Sequence, residues 1–478
     1  MRLATCSPRR GVVALAALVL ASPAAAAAGT AHVAEIAGAG LPLLWGLPFV
    51  GMLLSIALVP LVSAHFWHAH YGKVAAAWVL ALLLPFTLVF GPTETIHDVA
   101  HAILLEYVPF VAILFALFTI AGGICLRGTL IGTPAVNTAI LALGAALASV
   151  MGTTGAAMLL IRPLLTANEN RRHKTHAVVF FIILVGNVGG ALSPLGDPPL
   201  FIGFLKGVDF FWTTRELALP TALLVAVLLA AFWLLDAGLH RREPPRAVAS
   251  VADPRFAIEG SINFLLIAGV IGTVLMSGLW DSDIAFDVLG AHLELQNLLR
   301  DALLIGLGLL SLALTPKGVR EHNAFHWMPI VEVAKIFAGI FITIIPVIAM
   351  LGAGRSGALG QAIGLVIDAS GAPRDRAIFW TTGLLSAFLD NAPTYLVFFN
   401  LAGGDAAALM GPLRLTLAAI SMGAVYFGAL TYIGNAPNFM IKAIAEDRGV
   451  AMPSFFGYFG WTALVMLPLL ATITVVFL

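Results

Sequence analysis

The stretch GNVGGALSPLGDPP, Gly186–Pro199, decides how this chain folds. It holds four glycines and three prolines, which interrupt regular helices, and one carboxylate, Asp197. Strongly apolar runs flank it, VVFFIILV before it and LFIGFL after it. At membrane depth, such a break is tolerated only where the backbone is buried in protein or lines a wet cavity. Because an ionisable residue there marks a functional site by default, Asp197 is the first candidate.

The composition places the chain in a membrane. Of its 478 residues, 60% are hydrophobic and 10% are charged, whereas a soluble domain carries about 25% charged residues. Zero net charge indicates no nucleic-acid partner, and two cysteines are too few for a thiol metal site or a disulfide framework. We therefore predict an all-α polytopic membrane protein whose partner is the lipid bilayer, located in the bacterial inner membrane.

The first residues have the pattern of a signal peptide. Arg2, Arg9 and Arg10 precede the apolar run GVVALAALVLA, and SPAAAAA (residues 22–28) offers small-residue cleavage sites. We predict a signal peptide over residues 1–28, with an uncleaved first helix as the alternative.

Ten apolar segments are predicted to span the membrane: residues 41–62, 74–90, 107–125, 177–202, 218–238, 261–280, 301–315, 333–351, 414–444 and 456–477. Loop lysines and arginines favour one side by about two to one, and that side is assigned to the cytoplasm. Two further apolar segments, residues 133–165 and 376–400, then begin and end on the same side. Each is therefore predicted to be a re-entrant hairpin, with its tip at Met151–Gly155 or at Leu389–Thr394.

An internal repeat links the breaks to the tips. Ser193–Pro199 (SPLGDPP) is similar to Thr431–Pro437 (TYIGNAP) at an offset of 238 residues, and the same offset carries Gly152–Ala156 onto Asp390–Thr394. Each half has five spans and one hairpin, so the odd number inverts the second half. Inverted repeats with broken helices are typical of secondary transporters. The predicted organisation is a first inverted repeat over residues 39–240, a cytoplasmic linker over 241–258 and a second inverted repeat over 259–478.

Two carboxylates are predicted to form the site. Free carbonyls and Asp197 at the first break suit a small hard cation such as Na⁺, and the carboxylate can also take a proton. Asp390 lies at the second tip, so Asp197 and Asp390 are the predicted Na⁺ ligands. The other candidate ligands at these motifs are Asn187, Thr153, Thr154, Asn391, Thr394 and Asn435.

A further pair, Glu332 and Lys335, begins a later helix. The two residues are candidates for a cytoplasmic gate, with a cap at the membrane interface as the alternative.

At these motifs the sequence resembles the ion transporter superfamily, in particular its NhaD-type sodium/proton antiporters and a related citrate-transporter-like group. The pieces that carry the resemblance are GNVGGALSPLGDPP, VEVAKIFAGIFITIIP (Val331–Pro346), SAFLDNAPT (Ser386–Thr394) and YIGNAPN (Tyr432–Asn438). The resemblance covers roughly residues 41–478. It implies two repeats, a central cation site, alternating access and an architecture in which homodimers are common.

The resemblance also implies an ion site made by Asp197, Ser193 and Asn187 and by Asp390, Asn391, Thr394 and Ser386. The chain departs from the antiporter pattern at two places. Gly152 and Thr153 stand at the first tip instead of an Asp-Asn pair, and Pro198–Leu200 follows Asp197 where hydroxyl residues are expected. With fewer cation ligands, the identity of the ion stays open.

Sodium/proton antiport is the leading functional prediction, with Na⁺ or Li⁺ and H⁺ as the transported ions, no cofactor and no enzymatic activity. The first alternative is Na⁺- or H⁺-coupled carboxylate transport, for example of citrate, to which Thr153 and Thr154 could contribute. No lysine or arginine at the tips or breaks balances a polyanion, which favours antiport. Efflux of an oxyanion such as arsenite is a third prediction. An intramembrane aspartyl protease is the alternative from another class, although no histidine or cysteine lies at the breaks.

Overall fold

The computed structural model describes residues 38–128, 130–243, 257–368 and 371–478. The predicted signal peptide and most of the predicted linker lie outside these ranges.

Helices make up nearly all of the first half. In chain order they are α1 (Leu47–Val62), α2 (Ala64–Phe90), α3 (Pro92–His101), α4 (Val108–Ala121), α5 (Pro134–Met151), α6 (Thr153–Ala167), α7 (Thr175–Leu184), α8 (Pro198–Leu205) and α9 (Trp212–His240). A π-helical turn, Ala102–Tyr107, joins α3 to α4, and a short strand, β1 (Cys125–Arg127), follows α4.

The second half is also helical. Its helices are α10 (Ile262–Leu279), α11 (Leu295–Leu314), α12 (Lys317–His322), α13 (Met328–Thr343), α14 (Ile345–Gly352), α15 (Gly360–Val366), α16 (Asp375–Leu389), α17 (Asn391–Leu401), α18 (Ala406–Met410), α19 (Arg414–Phe427), α20 (Ala436–Asp447) and α21 (Phe455–Phe477). Strand β2 (Ala257–Glu259) pairs antiparallel with β1, while β3 (Ala285–Val288) and β4 (Ala291–Glu294) form a hairpin.

The prediction of an all-α polytopic membrane protein is confirmed. In the described ranges, nine helices are long and apolar enough to cross a membrane, or ten if the bent pair α13 and α14 counts as one span. One of the nine is α5, an arm of the first predicted hairpin, so the re-entrant course of that hairpin stays a prediction. The predicted span 414–444 is two helices, α19 and α20, with a break between them.

Several helices begin earlier than predicted, among them α9 at Trp212 and α11 at Leu295, and two further differences have local reasons. Helix α2 begins at Ala64 rather than near residue 74, because the Ser63 side chain accepts a hydrogen bond from the Phe66 amide and caps the helix. The predicted span 333–351 begins at Met328 and bends by 42° at the junction of α13 and α14. Pro346 lies in the first turn of α14, where its missing N–H is tolerated.

The broken helix of the first half lies at the centre of the bundle. In the segment Thr175–Leu192, 89% of the residues are buried, whereas the other long helices bury between 17% and 56% of theirs. The protein packs its flanking helices around this segment, so the polar residues at its end are held inside protein rather than against lipid.

Candidate functional site

The two breaks have the same local structure. After α7 ends at Leu184, a short 3₁₀ turn leads to α8, and after α19 ends at Phe427, another 3₁₀ turn leads to α20. Asp197 and Asn435 are the N-cap residues of α8 and α20, with φ and ψ of −141° and 141° and of −154° and 142°. Neither side chain caps its own helix. Both side chains are therefore free to point at other partners.

Hydrogen bonds at the breaks also repeat at the offset of 238 residues. The Ser193 hydroxyl donates to the carbonyl of Ser149, as the Thr431 hydroxyl does to the carbonyl of Ala387. Each hydroxyl accepts a backbone N–H two residues later at 3.2 Å. These matched contacts support the two-repeat organisation, whose inverted orientation stays a prediction.

Gly196 lies where the backbone of the first break folds onto itself. A Cβ at this position would lie 2.1 Å from the carbonyl oxygen of Gly190. The equivalent contact in the second half has Gly434 close to Gly428, with a Cβ at 2.7 Å from the carbonyl oxygen. Only glycine allows this approach in the first break.

We expect Gly196→Ala to destabilise the protein by about 1–3 kcal/mol, the usual cost of an overpacked site. The measurement is thermal unfolding of the purified protein in detergent. Gly272→Ala is the matched control, because Gly272 lies inside α10 and, apart from its own helix backbone, no atom of the described residues lies within 4 Å of its Cβ position, so alanine should be neutral or stabilising there. Equal melting temperatures for the two variants would contradict the expected close approach.

The hairpin tips share one unusual backbone conformation. Gly152, between α5 and α6, has φ 81° and ψ 150°, and Asp390, between α16 and α17, has φ 81° and ψ 142°. This region of φ and ψ is occupied almost only by glycine. An aspartate held there costs strain, which points to a functional reason for its side chain.

Asp197 is the best-connected carboxylate of the site, and it is only 1% exposed. Its Oδ1 accepts hydrogen bonds from the Thr153 hydroxyl at 3.2 Å and from Asn435 Nδ2 at 2.8 Å. Its Oδ2 accepts one from Asn391 Nδ2 at 2.5 Å. The donors come from the first tip, the second break and the second tip, so the carboxylate joins both halves through neutral groups.

Asn391 leaves one oxygen without a partner. Its side chain is fully buried, its Nδ2 donates to Asp197, and its Oδ1 accepts no hydrogen bond from any residue that the structure describes. The amide cannot be turned to satisfy both ends, because an ionised Asp197 only accepts. A buried amide oxygen without a donor beside a carboxylate fits a bound cation.

Asp390 is half-buried and directly precedes Asn391, whose amide donates to Asp197. The two predicted Na⁺ ligands, Asp197 and Asp390, therefore belong to one site. Its Oδ1 accepts the backbone N–H of Ala392 at 3.4 Å. In the described chain, neither Asp390 nor Asp197 has a lysine, arginine or histidine as an ion-pair partner. The site therefore carries two acids and no balancing cation of its own.

Asn187 bridges the two breaks. Its Nδ2 donates to Asn438 Oδ1 at 2.8 Å, and its Oδ1 accepts from Asn435 Nδ2 at 3.3 Å. Asn438 in turn donates to the carbonyls of Gly428 and Thr431 at 2.8 and 2.9 Å. Sequence reasoning missed Asn438, although it lies in the motif YIGNAPN, three residues after Asn435 and in the first turn of α20.

Three predicted hydroxyls donate elsewhere. Ser193 donates to the Ser149 carbonyl, Thr394 to the Asp390 carbonyl at 2.7 Å and Ser386 to the Ala424 carbonyl at 2.6 Å. They hold the backbone of the break and the tip, and a role as ion ligands stays a prediction for them.

The candidate gate residues do not pair with each other. Glu332 accepts a hydrogen bond from Trp67 Nε1 at 3.0 Å and lies 3.9 Å from His68, while Lys335 Nζ lies 5.5 Å from the centre of the Tyr71 ring. Their proposed role as a gate stays a prediction.

A cavity of about 420 Å³ reaches the site. Asp197, Asp390, Thr153, Thr154 and Asn435 line it together with many apolar side chains. Arg162 and Glu332 also line it, and both lie near loops assigned to the cytoplasm. In the predicted topology, the cavity therefore opens toward the cytoplasmic side, and that orientation stays a prediction.

Sequence reasoning also missed an ion pair at the far end of α8. Lys206, the C-cap of that helix, lies 2.5 Å from Glu106 on the π-helical turn. Both residues line a second cavity of about 810 Å³. The helix that begins at Asp197 is thus fixed at its other end to a neighbouring helix.

Two helices broken beside a shared buried carboxylate, within a bundle of apolar helices and open to a cavity, are the arrangement of a secondary transporter. The profile of a protein family described as "Putative citrate transport" matches residues 38–478, so the chain belongs to that family. No curated protein matches the chain. The family confirms the citrate-transporter-like part of the resemblance, whereas the likeness to NhaD-type antiporters stays a prediction.

Proposed function

We propose that the protein couples Na⁺ and H⁺ movement at the Asp197–Asp390 site and acts as a sodium/proton antiporter by alternating access. The unpartnered Oδ1 of Asn391 carries the proposal. Together with two carboxylates, it gives oxygen ligands of the kind that hard cations prefer.

Another buried aspartate of the protein, Asp236, has a structural role and serves as a comparison for Asp197. Asp236 is fully buried and lies 2.5 Å from Arg171 and 2.8 Å from His176. Asp197 is almost equally buried but has only neutral donors. Because a buried unpaired charge is costly, this difference supports a mobile cation or a proton as the partner of Asp197.

The free-energy cost of burying unpaired carboxylates also couples the movement of Na⁺ to that of H⁺. A site with two uncompensated carboxylates would pay several kcal/mol per charge to cross the membrane centre empty. Loading with Na⁺ or with a proton lowers that cost, so the loaded forms cross and the empty form does not. Exchange of Na⁺ for H⁺ follows when the two ions load from opposite sides.

Carboxylate transport is a second candidate because of one further feature of the cavity. Thr154 and Gly155, in the first turn of α6, line it, and the free N–H groups of a helix N-terminus favour anions. Arg162 also lines the cavity, and its buried Nη1 has no hydrogen-bond partner within the described ranges. These groups would receive an organic acid, with Na⁺ or H⁺ at the aspartates as the coupling ion.

Vesicles that carry an imposed pH gradient test the proposal. We expect Na⁺ or Li⁺ to dissipate the gradient, measured with a pH-sensitive dye, and we expect Asn391→Ala to raise the half-maximal Na⁺ concentration about tenfold because one ligand is lost. Thr381→Ala is the matched control, since Thr381 donates to a backbone carbonyl of its own helix.

The same vesicles separate the two candidates. Uptake of labelled citrate without any response to Na⁺ or Li⁺ alone would reject antiport and support carboxylate transport. A response to Na⁺ that Asn391→Ala leaves unchanged would reject the ligand role of Asn391.

A further inference from the structure

The walls of the 420 Å³ cavity do not suit a small inorganic ion alone. They carry many apolar side chains, and their aromatic members include Trp67, Phe110, Phe201, Phe337 and Tyr432. A cavity of this size, apolar with a few polar groups, is typical of sites for organic molecules. Na⁺ needs only the oxygens at the inner end.

The cavity is also unbalanced in charge. Four carboxylates line it, those of Asp197, Asp390, Glu332 and Asp447. Among the described lining residues, Arg162 is the single permanent cation, and the two histidines there are His68 and His326. The excess of acids attracts a cation and repels a polyanion.

The length of the cavity can be judged from two helices that line it, α6, which begins at the first tip, and α20, which begins at the second break. Arg162 lies nine residues beyond Thr153 on α6, which is about 14 Å along the helix. Asp447 lies twelve residues beyond Asn435 at the end of α20, which is about 18 Å. The cavity is therefore long enough for a molecule with a separate head and body.

The inner end suits a positive head group. Asp390 is half-buried and therefore reachable from the cavity, and the neighbouring Asn391 Oδ1 is a buried acceptor without a donor. Aromatic faces such as that of Trp67 stabilise organic cations further along the wall.

We propose that this cavity binds a lipophilic organic cation, with its positive centre toward Asp390 and its apolar groups along α6 and α20. The proposal rests on the same carboxylates as the proposed function, but it needs no exchange of Na⁺. Such a molecule would occupy the Na⁺ position and compete with Na⁺.

Two ions of equal shape and opposite charge test the proposal. Tetraphenylphosphonium and tetraphenylborate are offered separately, as radiolabelled probes in equilibrium dialysis, to the full chain in lipid nanodiscs, with empty nanodiscs as the background. We expect saturable binding of the phosphonium that Na⁺ displaces, and no saturable binding of the borate. Asp390→Asn and Asp390→Gly should each weaken phosphonium binding about tenfold or more, as expected for the loss of a charged contact.

Asp283→Asn is the control, because Asp283 is exposed and does not line the cavity, so phosphonium binding should not change. Equal binding of the two probes, or undiminished phosphonium binding by both Asp390 variants, would show an occupant selected by apolar contact alone and would overturn the proposal. A Na⁺ response in vesicles without phosphonium binding rejects this inference and leaves antiport standing. Phosphonium binding without any Na⁺ response rejects antiport and leaves this inference standing.

Discussion

Replacing Asp390 with glycine should reduce ion exchange about 100-fold while leaving the protein at least as stable as the wild type. The residue has φ 81° and ψ 142°, a conformation that costs a non-glycine residue about 1–3 kcal/mol. Glycine relieves that strain, at a cost of about 0.4–1 kcal/mol in unfolded-chain entropy and a few tenths for the N-cap of α17. The free energy of unfolding should therefore be unchanged or rise by up to about 2 kcal/mol.

Exchange should fall about 100-fold, because the loss of about 3 kcal/mol of cation binding corresponds to two factors of ten. The measurements are dissipation of a pH gradient by Na⁺ and thermal unfolding of the same preparation. Asp390→Asn and Asp197→Asn remove the charges without adding glycine, and we expect exchange to be lost in both.

Gly152→Ala makes the opposite change at the other tip and so tests whether this backbone conformation is strained for a residue other than glycine. Gly152 has the same φ of 81°, and its Cβ position has no neighbour closer than 3.4 Å, so the cost of alanine there comes from the backbone. We expect about 1–2 kcal/mol of destabilisation. An Asp390→Gly protein that unfolds more easily than wild type, or that exchanges Na⁺ normally, would contradict the assignment of Asp390 as a strained functional residue.

The breaks and tips could be located from the sequence because their signals are local. Glycine and proline at Gly186–Pro199 interrupt an apolar run, and the same spacing returns 238 residues later. The structure has breaks at both places and a single residue, Gly152 or Asp390, at each tip. Glycines and prolines that interrupt a helix can be recognised in the sequence without knowing how the helices pack.

The contacts across the site could not be predicted in the same way. The bond from Asn391 to Asp197 joins residues 194 positions apart, and that from Asn187 to Asn438 joins residues 251 positions apart. The sequence marked Asn391 as a neutral oxygen ligand, whereas its nitrogen holds Asp197 and only its oxygen is free. Whether one side chain serves two roles depends on how the two halves of the protein pack against each other. A local sequence pattern carries no information about that packing.

A buried network of hydrogen bonds and ion pairs around Asp236 lies away from the two-aspartate site. Asp236 on α9 accepts hydrogen bonds from His176 on α7 at 2.8 Å and from Asn137 on α5 at 2.9 Å, and it forms an ion pair with Arg171 at 2.5 Å. Arg171 follows α6 and also binds Glu243 at 3.2 Å. The network therefore fixes both arms of the first hairpin to α7, the helix that leads into the first break.

We expect Asp236→Ala to destabilise the protein by about 3–5 kcal/mol, because it leaves the fully buried guanidinium of Arg171 without its closest acid. The measurement is chemical or thermal unfolding in detergent. Asp209→Asn is the matched control, since Asp209 lies 3.8 Å from Arg215 with side chains 43% and 71% exposed, and such a pair contributes at most about 1 kcal/mol.

The double variant Arg171→Met with Asp236→Leu identifies the cause of the loss. If the uncompensated charge dominates, the double variant should recover part of the stability that Asp236→Ala loses, because apolar residues replace both charges. Folded protein of either variant should still respond to Na⁺, since none of the substituted residues contacts Asp197 or Asp390. A loss from Asp236→Ala no larger than that from Asp209→Asn would show that this network does not anchor the hairpin, and the support for the first tip would then have to come from its hydrogen bonds to the first break, such as that from Thr153 to Asp197.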